Sequence, residues 1–239
     1  MNFRLLPLER KEGDALMAAD EAMLEALRQG VSPPSLRFYT WAHPTLSLGF
    51  HQHVFPEHWR ALPKVRRPTG GRAVWHEGDL TYAVAVRGLS GSTGQIYTRL
   101  CAFLVEGLAN LGIEVGFGRG GREYVRRPGC FSSATSADLL WRGRKLVGSA
   151  QVRRGDTVLQ HGAILLAPNQ ERLARLFPEQ APEAVVGLAE IRPELSADQV
   201  IASLTAAWAT AWEAAIVPGE WSEWERQWLA QGRARWRCG

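Results

Sequence analysis

Lysine and cysteine are both scarce in this 239-residue chain, with three of each. Cys101, Cys130 and Cys238 form no close pair, which argues against a disulfide framework and a cysteine-based metal site. The alternating His51 and His53 have no cysteine or acidic partner beside them, so we expect no metal. Cys101 lies in an apolar segment with helical spacing, which predicts a buried structural thiol, and Cys238 lies in a terminus that we expect to be mobile. Cys130 follows an Arg- and Gly-rich loop and is the cysteine predicted to react.

The shortage of lysine makes one lysine informative. Arginine accounts for 25 of the 28 basic residues. Arginine keeps its proton in proteins, whereas a buried lysine can lose it. Lys145 lies in the glycine-containing block GRKLVGSA (143–150), which indicates that its amine is needed there.

Long apolar runs are also absent, and none approaches the roughly 20 residues that a membrane span needs. Charged residues between positions 4 and 14 interrupt the place where a signal peptide would have its apolar core, so we expect a cytoplasmic protein. The net charge of +4 favours acidic partners, either protein or nucleic acid. Basic residues interleave with an aromatic only at 233–237, so we expect no nucleic-acid ligand.

The spacing of apolar residues predicts an α+β fold in which helices are inserted among short strands. Helices are predicted over 15–29, 93–111 and 200–215, the last preceded by a capping box at 196–199. Strands are predicted over 2–8 (an edge strand), 35–41, 45–50, 64–67, 72–75, 80–86, 137–141, 144–149, 157–160 and 162–167. We expect a single domain over 1–239 with a helical C-terminal flank at 169–230, a tryptophan stripe that packs into the core, and a frayed tail from 231.

The first candidate block is RRPTGGRAVWH, residues 66–76. Adjacent glycines allow positive φ and let a ligand approach bare backbone amides, and flanking arginines suit a phosphate or an acidic carrier surface. The block matches neither a P-loop nor a dinucleotide-binding turn, and an ordinary hairpin with surface arginines is the alternative. The candidate substrate-binding residues here are Arg67, Thr69, Gly70, Gly71, Arg72 and His76.

The second candidate block extends from Cys130 to position 166. Its small residues leave space beside a predicted strand, which suits an acyl chain lying against a sheet. A lone histidine is more often structural than catalytic, and that alternative stays open for the histidine at its end. The candidate substrate-binding residues are Gly148, Ser149, Ala150, His161 and Gly162.

In this order, RRPTGGRAVWHEGDLTY, GRKLVGSAQ and LQHGAILL resemble the superfamily of lipoate–protein ligase A, octanoyltransferases and biotin–protein ligases. The resemblance implies the catalytic-domain fold of that superfamily, with mixed, mostly antiparallel sheets flanked by helices. The cysteine of CFSS ahead of GRKLVGSAQ is similar to the cysteine-dependent octanoyltransferases of Gram-positive type. That branch moves an octanoyl group from acyl carrier protein to the glycine cleavage H protein.

By this resemblance, Cys130 would attack the carrier thioester and hold the acyl group until a lysine of the acceptor displaces it. Lys145 would act as the acid–base partner. Backbone amides of Gly70 and Gly71 or of Gly148 would hold the oxyanion, and the two histidines of the blocks would line the site. The exchange needs no ATP, no cofactor and no metal, and the arginine surface would receive acidic carrier and lipoyl-type domains.

Some features depart from that branch. The stretch after the cysteine is ATSAD (134–138) where the branch has a Pro-Ser-Trp-Tyr-Glu-like stretch, which leaves the acyl length and the acceptor open. An ATP-dependent lipoate–protein ligase is an alternative, although about 70 residues after Pro168 leave little room for its usual additional domain. An amidotransferase that moves octanoyl between lipoyl domains and a non-enzymatic lipoyl-domain or nucleic-acid binder are further alternatives.

Overall fold

A nine-stranded mixed sheet and a three-stranded sheet frame the protein in the computed structural model, which describes residues 2–118, 137–179 and 184–238. The strands are β1 (Asn2–Leu5), β2 (Glu9–Lys11), β3 (Ser35–Trp41), β4 (Thr45–Leu48), β5 (Lys64–Arg66), β6 (Val74–His76), β7 (Asp79–Arg87), β8 (Gly116–Phe117), β9 (Asp138–Trp141), β10 (Arg144–Arg154), β11 (Thr157–Leu165) and β12 (Ala215–Pro218). The helices are α1 (Gly13–Arg28), α2 (Thr93–Asn110), α3 (Gln170–Leu176), α4 (Leu188–Ile191), α5 (Ala197–Ala211) and α6 (Glu223–Gly232), with short 3-10 helices at Glu57–Trp59 and Arg233–Trp236.

The larger sheet has the order β12-β1-β3-β7-β11-β10-β9-β8, with β2 also paired to β3. Its central pairs are antiparallel, from β3–β7 through β7–β11 to β10–β11. Among the described strands of this sheet, only the pairs that involve β1 and β2 are parallel. The small sheet has the order β5-β4-β6. The predicted α+β class with mostly antiparallel sheets is confirmed.

The strand β7 shows why the larger sheet is covered on both faces. Because side chains alternate along a strand, Tyr82 and Val84 join one apolar cluster while Ala83 joins another. The first cluster includes residues of α2 and α5, and the second includes residues of α1. Helices α2 and α5 come very close at Gly107, where an added Cβ would lie 2.7 Å from Leu204 Cδ2. The sheet is therefore a middle layer, and the α1 face holds the candidate site.

The N-terminal strand is not an edge strand, which corrects the prediction for 2–8. It ends at Leu5, and β12 pairs with it on the outer side, with Asn2 opposite Ala215. The predicted helix over 200–215 ends at Ala211 because the backbone turns at Glu213, which has φ of 45°, and enters β12. A strand that is completed by a segment 213 residues later cannot be identified as internal from local pattern.

The two predicted strands at 157–160 and 162–167 are one strand, β11, and this is a second correction. Gly162 does not interrupt the ladder, because it pairs with Tyr82 of β7 on one side and Ser149 of β10 on the other. The capping box at Ser196 is confirmed: its side chain accepts from the backbone of Gln199, whose side chain binds back. Other boundaries differ from prediction by a few residues.

The C-terminal tail is packed through residue 238, so the predictions of a frayed tail and a mobile Cys238 are wrong. Trp236 is buried in the cluster that contains α1, and Arg233 and Arg237 both donate to Asp14 in the first turn of that helix. Cys238 is half-buried against a separate, third apolar cluster, which includes Leu46 and Trp59. The core role predicted for the tryptophans is confirmed for Trp208.

The tryptophans of α6 behave differently from that prediction. Trp224 and Trp228 stack on each other at 5.0 Å and stay half-buried. Within the part of the chain that the structure describes, none of the helices has the length and apolar character of a membrane span.

Candidate active site

A cavity lies between α1, the centre of the larger sheet and the three-stranded sheet. Its volume that is free of protein atoms is about 430 Å³, part of which is open to solvent. Seven of the predicted site residues line it, namely Arg67, His76, Gly148, Ser149, Ala150, His161 and Gly162. The two sequence blocks therefore meet at one cavity. Its exposed lining is mostly apolar, which is typical of a small-molecule site.

Glycine forms one wall of this cavity because nothing larger fits. Gly162 lies opposite Ser149 in the β10–β11 ladder, and an added Cβ would lie 2.6 Å from the carbonyl oxygen of Gly148 and 2.7 Å from Tyr82 Cε1. A Cβ on Gly148 would lie 2.8 Å from Lys145 Cε. The small residues that the sequence indicated as space for an acyl chain thus line the cavity.

Arg67 shapes the Thr-Gly-Gly loop from inside. Its guanidinium is almost fully buried and donates to the carbonyl oxygens of Ser47 at 2.9 Å, Gly70 at 2.6 Å and Arg72 at 2.8 Å. Arg67 is therefore a buried residue that fixes the loop through hydrogen bonds, not a surface arginine that faces a carrier protein. The role that we predicted for its charge is corrected accordingly, while its place in the cavity lining is as expected.

The loop that Arg67 holds also packs against the segment after β4. Gly71 has φ of 91°, and a Cβ on Gly49 would lie 2.0 Å from the carbonyl oxygen of Gly71. Both positions therefore require glycine, one because of its φ and the other because of the close approach.

A buried chain of hydrogen bonds joins α1 to this loop through His161. Asp20 Oδ2 lies 2.6 Å from His161 Nδ1, and His161 Nε2 lies 2.6 Å from Thr69 Oγ1. The Asp20 carboxylate can only accept, so Nδ1 donates to it; Nε2 of the neutral ring then accepts from the Thr69 hydroxyl, which itself accepts from Arg67 Nε at 3.1 Å. His161 then carries its proton on Nδ1. Burial lowers the pKa of His161, which keeps the ring neutral at neutral pH and agrees with this arrangement.

Asp20 has two further buried donors. The Tyr39 hydroxyl donates to Oδ2 at 2.8 Å, and Arg37 Nη1 donates to Oδ1 at 3.1 Å. Burial raises the pKa of Tyr39 well above its ordinary value, so the phenol keeps its proton. Sequence reasoning missed Asp20, although position 20 lies on the apolar face of α1 with Leu16 and Met23, where a carboxylate needs a partner.

His76 is held by a second set of contacts. Its Nδ1 lies 3.0 Å from Asp79 Oδ2, which also accepts from the Thr81 hydroxyl at 2.9 Å. The Trp41 ring stacks on His76 at 3.9 Å, and its Nε1 donates to Thr81 Oγ1 at 3.0 Å. The ring is therefore fixed in the cavity wall. The alternation of Asp79 and Thr81 on β7 was the available signal for these supports, and Trp41 had none.

Lys145 lies beside the glycine wall in a buried ion pair. Its Nζ is 2.8 Å from Asp138 Oδ1, and both side chains are almost fully buried. Asp138 stands opposite Gly148 in the β9–β10 ladder, which brings the carboxylate to the lysine. Sequence reasoning did not single out Asp138 as a site residue. The predicted nucleophile Cys130 lies outside the described residues.

Comparison with known proteins identifies the group to which this site belongs. The family model of the lipoyl protein ligase A/B catalytic domain matches residues 14–209. The chain belongs to this family. The resemblance predicted from the two blocks is thus confirmed, and the family match includes both of them.

Two curated relatives in the family, from Moorella thermoacetica and Kyrpidia tusciae, are named Octanoyltransferase LipM. Each is 36% identical to this chain over 98% of its length, and the matches cover 95% and 96% of those proteins. Among solved structures, a lipoate-protein ligase A bound with ATP has a TM-score of 0.84 at 22% identity, and covers 98% of this chain and 95% of that one. A putative lipoate protein ligase from T. acidophilum with bound lipoic acid has a TM-score of 0.83 at 22% identity, over 97% of this chain and 94% of that one. These structures show that the fold is that of the family.

The structure shows why Cys101 is not a candidate nucleophile. Cys101 is fully buried, accepts from Gln160 Nε2 at 3.2 Å, and has its pKa raised to about 11 by burial. It is therefore a structural thiol, as its apolar helical segment predicted. The roles assigned to the individual site residues, including Cys130 and Lys145, remain predictions.

Proposed function

We propose that this protein is an octanoyltransferase of lipoate biosynthesis that carries the acyl group as a thioester on Cys130 and delivers it to a lysine of a lipoyl-type domain. The full-length similarity to proteins named octanoyltransferase supports the acyl group. The observation that carries the proposal is the single cavity that both sequence blocks form, with a buried lysine beside its glycine wall. Cys130 precedes that lysine by fifteen residues in the chain.

The first half-reaction moves the acyl group from a carrier thioester to the enzyme. The sulfur of Cys130 attacks the thioester carbonyl, a new sulfur–carbon bond forms, and the bond to the carrier sulfur breaks. The proton lost by Cys130 passes to the departing carrier thiol, with Lys145 as the group that transfers it. One thioester replaces another, so the step requires no ATP.

The second half-reaction forms an amide. The amine of the acceptor lysine attacks the acyl-enzyme carbonyl, the bond to Cys130 breaks, and the cysteine thiol regains a proton from the amine. An amide is more stable than a thioester, so this step runs downhill. The proposed donor is octanoyl acyl carrier protein, and the proposed acceptor is a lipoyl-type domain such as the glycine cleavage H protein.

The Gly71 amide is the proposed donor to the oxyanion in both steps. In a trans peptide the C=O and N–H groups point in opposite directions. The carbonyl of Gly70 accepts from Arg67 at 2.6 Å, so the N–H of the same peptide, which belongs to Gly71, points away from the guanidinium. That N–H is the contact that we propose for the substrate oxyanion, and the hydrogen bond to Arg67 holds its peptide in this orientation.

The proposal is tested by mixing the protein with octanoyl acyl carrier protein and locating the adduct by peptide mass spectrometry. We expect an octanoyl group on Cys130, none on Cys101 or Cys238, and none in the Cys130→Ser variant. Octanoylated H protein serves as an alternative donor, and a reaction with this donor alone would identify an amidotransferase. A Cys130→Ser protein that still modifies the acceptor with ATP and free lipoate would refute the cysteine mechanism.

The role of Lys145 is tested by Lys145→Arg, which keeps the positive charge but removes the amine that can release a proton. We expect acyl-enzyme formation to slow by about 10²–10⁴-fold, the usual contribution of a positioned acid–base group. Lys11→Arg is the matched control, since Lys11 is exposed, and its rate should equal that of the wild type. An unchanged rate in Lys145→Arg would exclude the proposed role.

A further inference from the structure

We propose that residues 50–55, together with Lys64 and Arg66, form the docking surface for the acidic carrier protein that delivers the acyl group. This inference rests on the proposed function and adds the place where the donor binds. We call these residues the carrier patch. The observations that support it are exposed apolar side chains, a local excess of positive charge, and a direct connection to the cavity.

The carrier patch exposes apolar side chains in an unusual concentration. Val54 is 88% exposed and Phe50 is 41% exposed. They are two of the six large apolar side chains that are exposed in the described part of the chain, and they lie four residues apart. Phe55 next to them is half-buried, and Lys64 Nζ lies 5.8 Å from its ring centre. Neighbouring exposed apolar groups of this kind mark interaction sites on otherwise polar surfaces.

The segment that contains the carrier patch is strongly basic. Residues 49–76 contain five arginines and lysines against one glutamate, and without the buried Arg67 an excess of three positive charges remains. Arg66 donates to the carbonyl oxygens of Gly49, Phe50 and Gln52, and Lys64 donates to those of Arg60 and Leu62. Carbonyl oxygens carry no formal charge, so both positive charges remain to attract an acidic protein.

The carrier patch connects to the cavity through backbone contacts. The amide of Phe50 donates to the carbonyl oxygen of Thr69 at 2.9 Å, and Gly49 packs on Gly71. The Thr69 side chain in turn binds His161 in the cavity wall. A partner on the patch is therefore beside the cavity and not over its centre.

That position favours the donor over the acceptor. A carrier protein presents its acyl group on a long, flexible phosphopantetheine arm, so it can bind beside the cavity and still reach the glycine wall. An acceptor lysine is only one side chain long, which requires its domain to sit over the opening. An acidic protein with an apolar contact and an anionic arm also matches the mixed apolar and basic character of the patch.

The test compares two variants with the same substitution. Val54→Glu places a negative charge in the patch, and Val31→Glu makes the same change at a valine that is 48% exposed after α1. The C-terminal end of α1 lies about 16 Å along the helix from Met17, which lines the cavity, at 1.5 Å per residue. Each protein is assayed with octanoyl acyl carrier protein and with octanoyl-pantetheine, which has the thioester arm without its phosphate and without the protein. The affinity of each variant for the carrier protein is measured separately.

We expect Val54→Glu to raise the KM for octanoyl acyl carrier protein and its Kd about tenfold, within the usual range of electrostatic steering, with kcat unchanged. The rate with octanoyl-pantetheine should be unaffected, and Val31→Glu should equal the wild type. The wild-type KM for the carrier protein should also rise with salt.

Three results would overturn the docking proposal, and each is separate from the test of Cys130. The first is that Val54→Glu binds the carrier protein as tightly as the wild type does. The second is that Val54→Glu loses the same fraction of its rate with both acyl donors. The third is that Val54→Glu weakens only the reaction with the acceptor. If the wild type forms no acyl-enzyme with either donor, the proposed function fails. Weaker carrier binding by Val54→Glu would support the docking surface even then.

Discussion

Replacing Asp20 by asparagine removes the charge at the centre of the buried hydrogen-bond chain. In the wild type, the Asp20 carboxylate accepts from His161, Tyr39 and Arg37 over 2.6, 2.8 and 3.1 Å. The Asp20 and Arg37 side chains have no exposed surface, so water cannot compensate for the lost charge. Glu9 remains 3.7 Å from Arg37 as a second carboxylate.

The expected cost follows from this burial. Removing one partner of a buried ion pair costs about 3–5 kcal/mol, and we place Asp20→Asn at about 3 kcal/mol because Glu9 offsets part of the loss. For a domain of this size, each kcal/mol lowers Tm by about 2–4 °C, so thermal unfolding should shift down by roughly 6–12 °C. Asp156→Asn is the control, because its ion pair with Arg87 is exposed and its loss should leave Tm unchanged.

A second measurement separates the positioning of His161 from stability alone. An asparagine amide at the Oδ2 position would donate to Nδ1, so the His161 proton would move to Nε2. In the wild type, Nε2 instead accepts from the Thr69 hydroxyl. Nitrogen NMR of the His161 ring distinguishes the two tautomers. We expect the proton on Nδ1 in the wild type and on Nε2 in Asp20→Asn, with slower acyl-enzyme formation because the hydrogen bond between His161 and Thr69 must reverse its direction. A variant that keeps both the wild-type Tm and the wild-type tautomer would refute this reasoning.

The remaining predictions concern the glycine wall, the buried thiol and pH. Gly162→Ala should abolish acyl-enzyme formation and lower stability by about 1–3 kcal/mol, because the added Cβ would clash with the backbone and with Tyr82. Gly94→Ala, where a Cβ has open space, should change neither activity nor stability. Acyl-enzyme formation and thermal unfolding are measured for both variants. Cys101 should resist iodoacetamide at pH 8 in the native protein, because a thiol with its pKa at about 11 is only about 0.1% thiolate there, and it should react after unfolding, as peptide mapping would show; rapid native labelling would contradict its burial. Burial lowers the pKa of His161 in the folded state, so below the ordinary histidine pKa of about 6.5 the unfolded chain binds more protons than the folded chain. The stability that neutral, buried His161 contributes is therefore complete above that pH and is lost as pH falls. The difference in Tm between the wild type and His161→Gln should therefore narrow from about pH 7.5 to about pH 5, and a constant difference would contradict it.

Much of the fold was predictable because its signals are local. The helix that became α1 and the strand β3 are encoded by the spacing of their own apolar residues, and the cap of α5 by Ser196 and Gln199. The strand β12 and the ordered tail were missed for the opposite reason. Their stability comes from partners at the other end of the chain, the strand β1 and Asp14.

The candidate site shows the same division. Sequence alone determined the two blocks, their family resemblance and the residue types that meet at the cavity, because the backbone freedom of glycine and the chemical groups of lysine and histidine are set by residue type. Only the tertiary structure decided that Arg67 is buried in the loop, that Asp20 fixes the His161 ring, and that Asp138 pairs with Lys145. These are contacts between segments far apart in sequence or across a ladder, and burial decides their strength. A sequence lists charges, but the fold decides which of them lose water and must therefore find a partner.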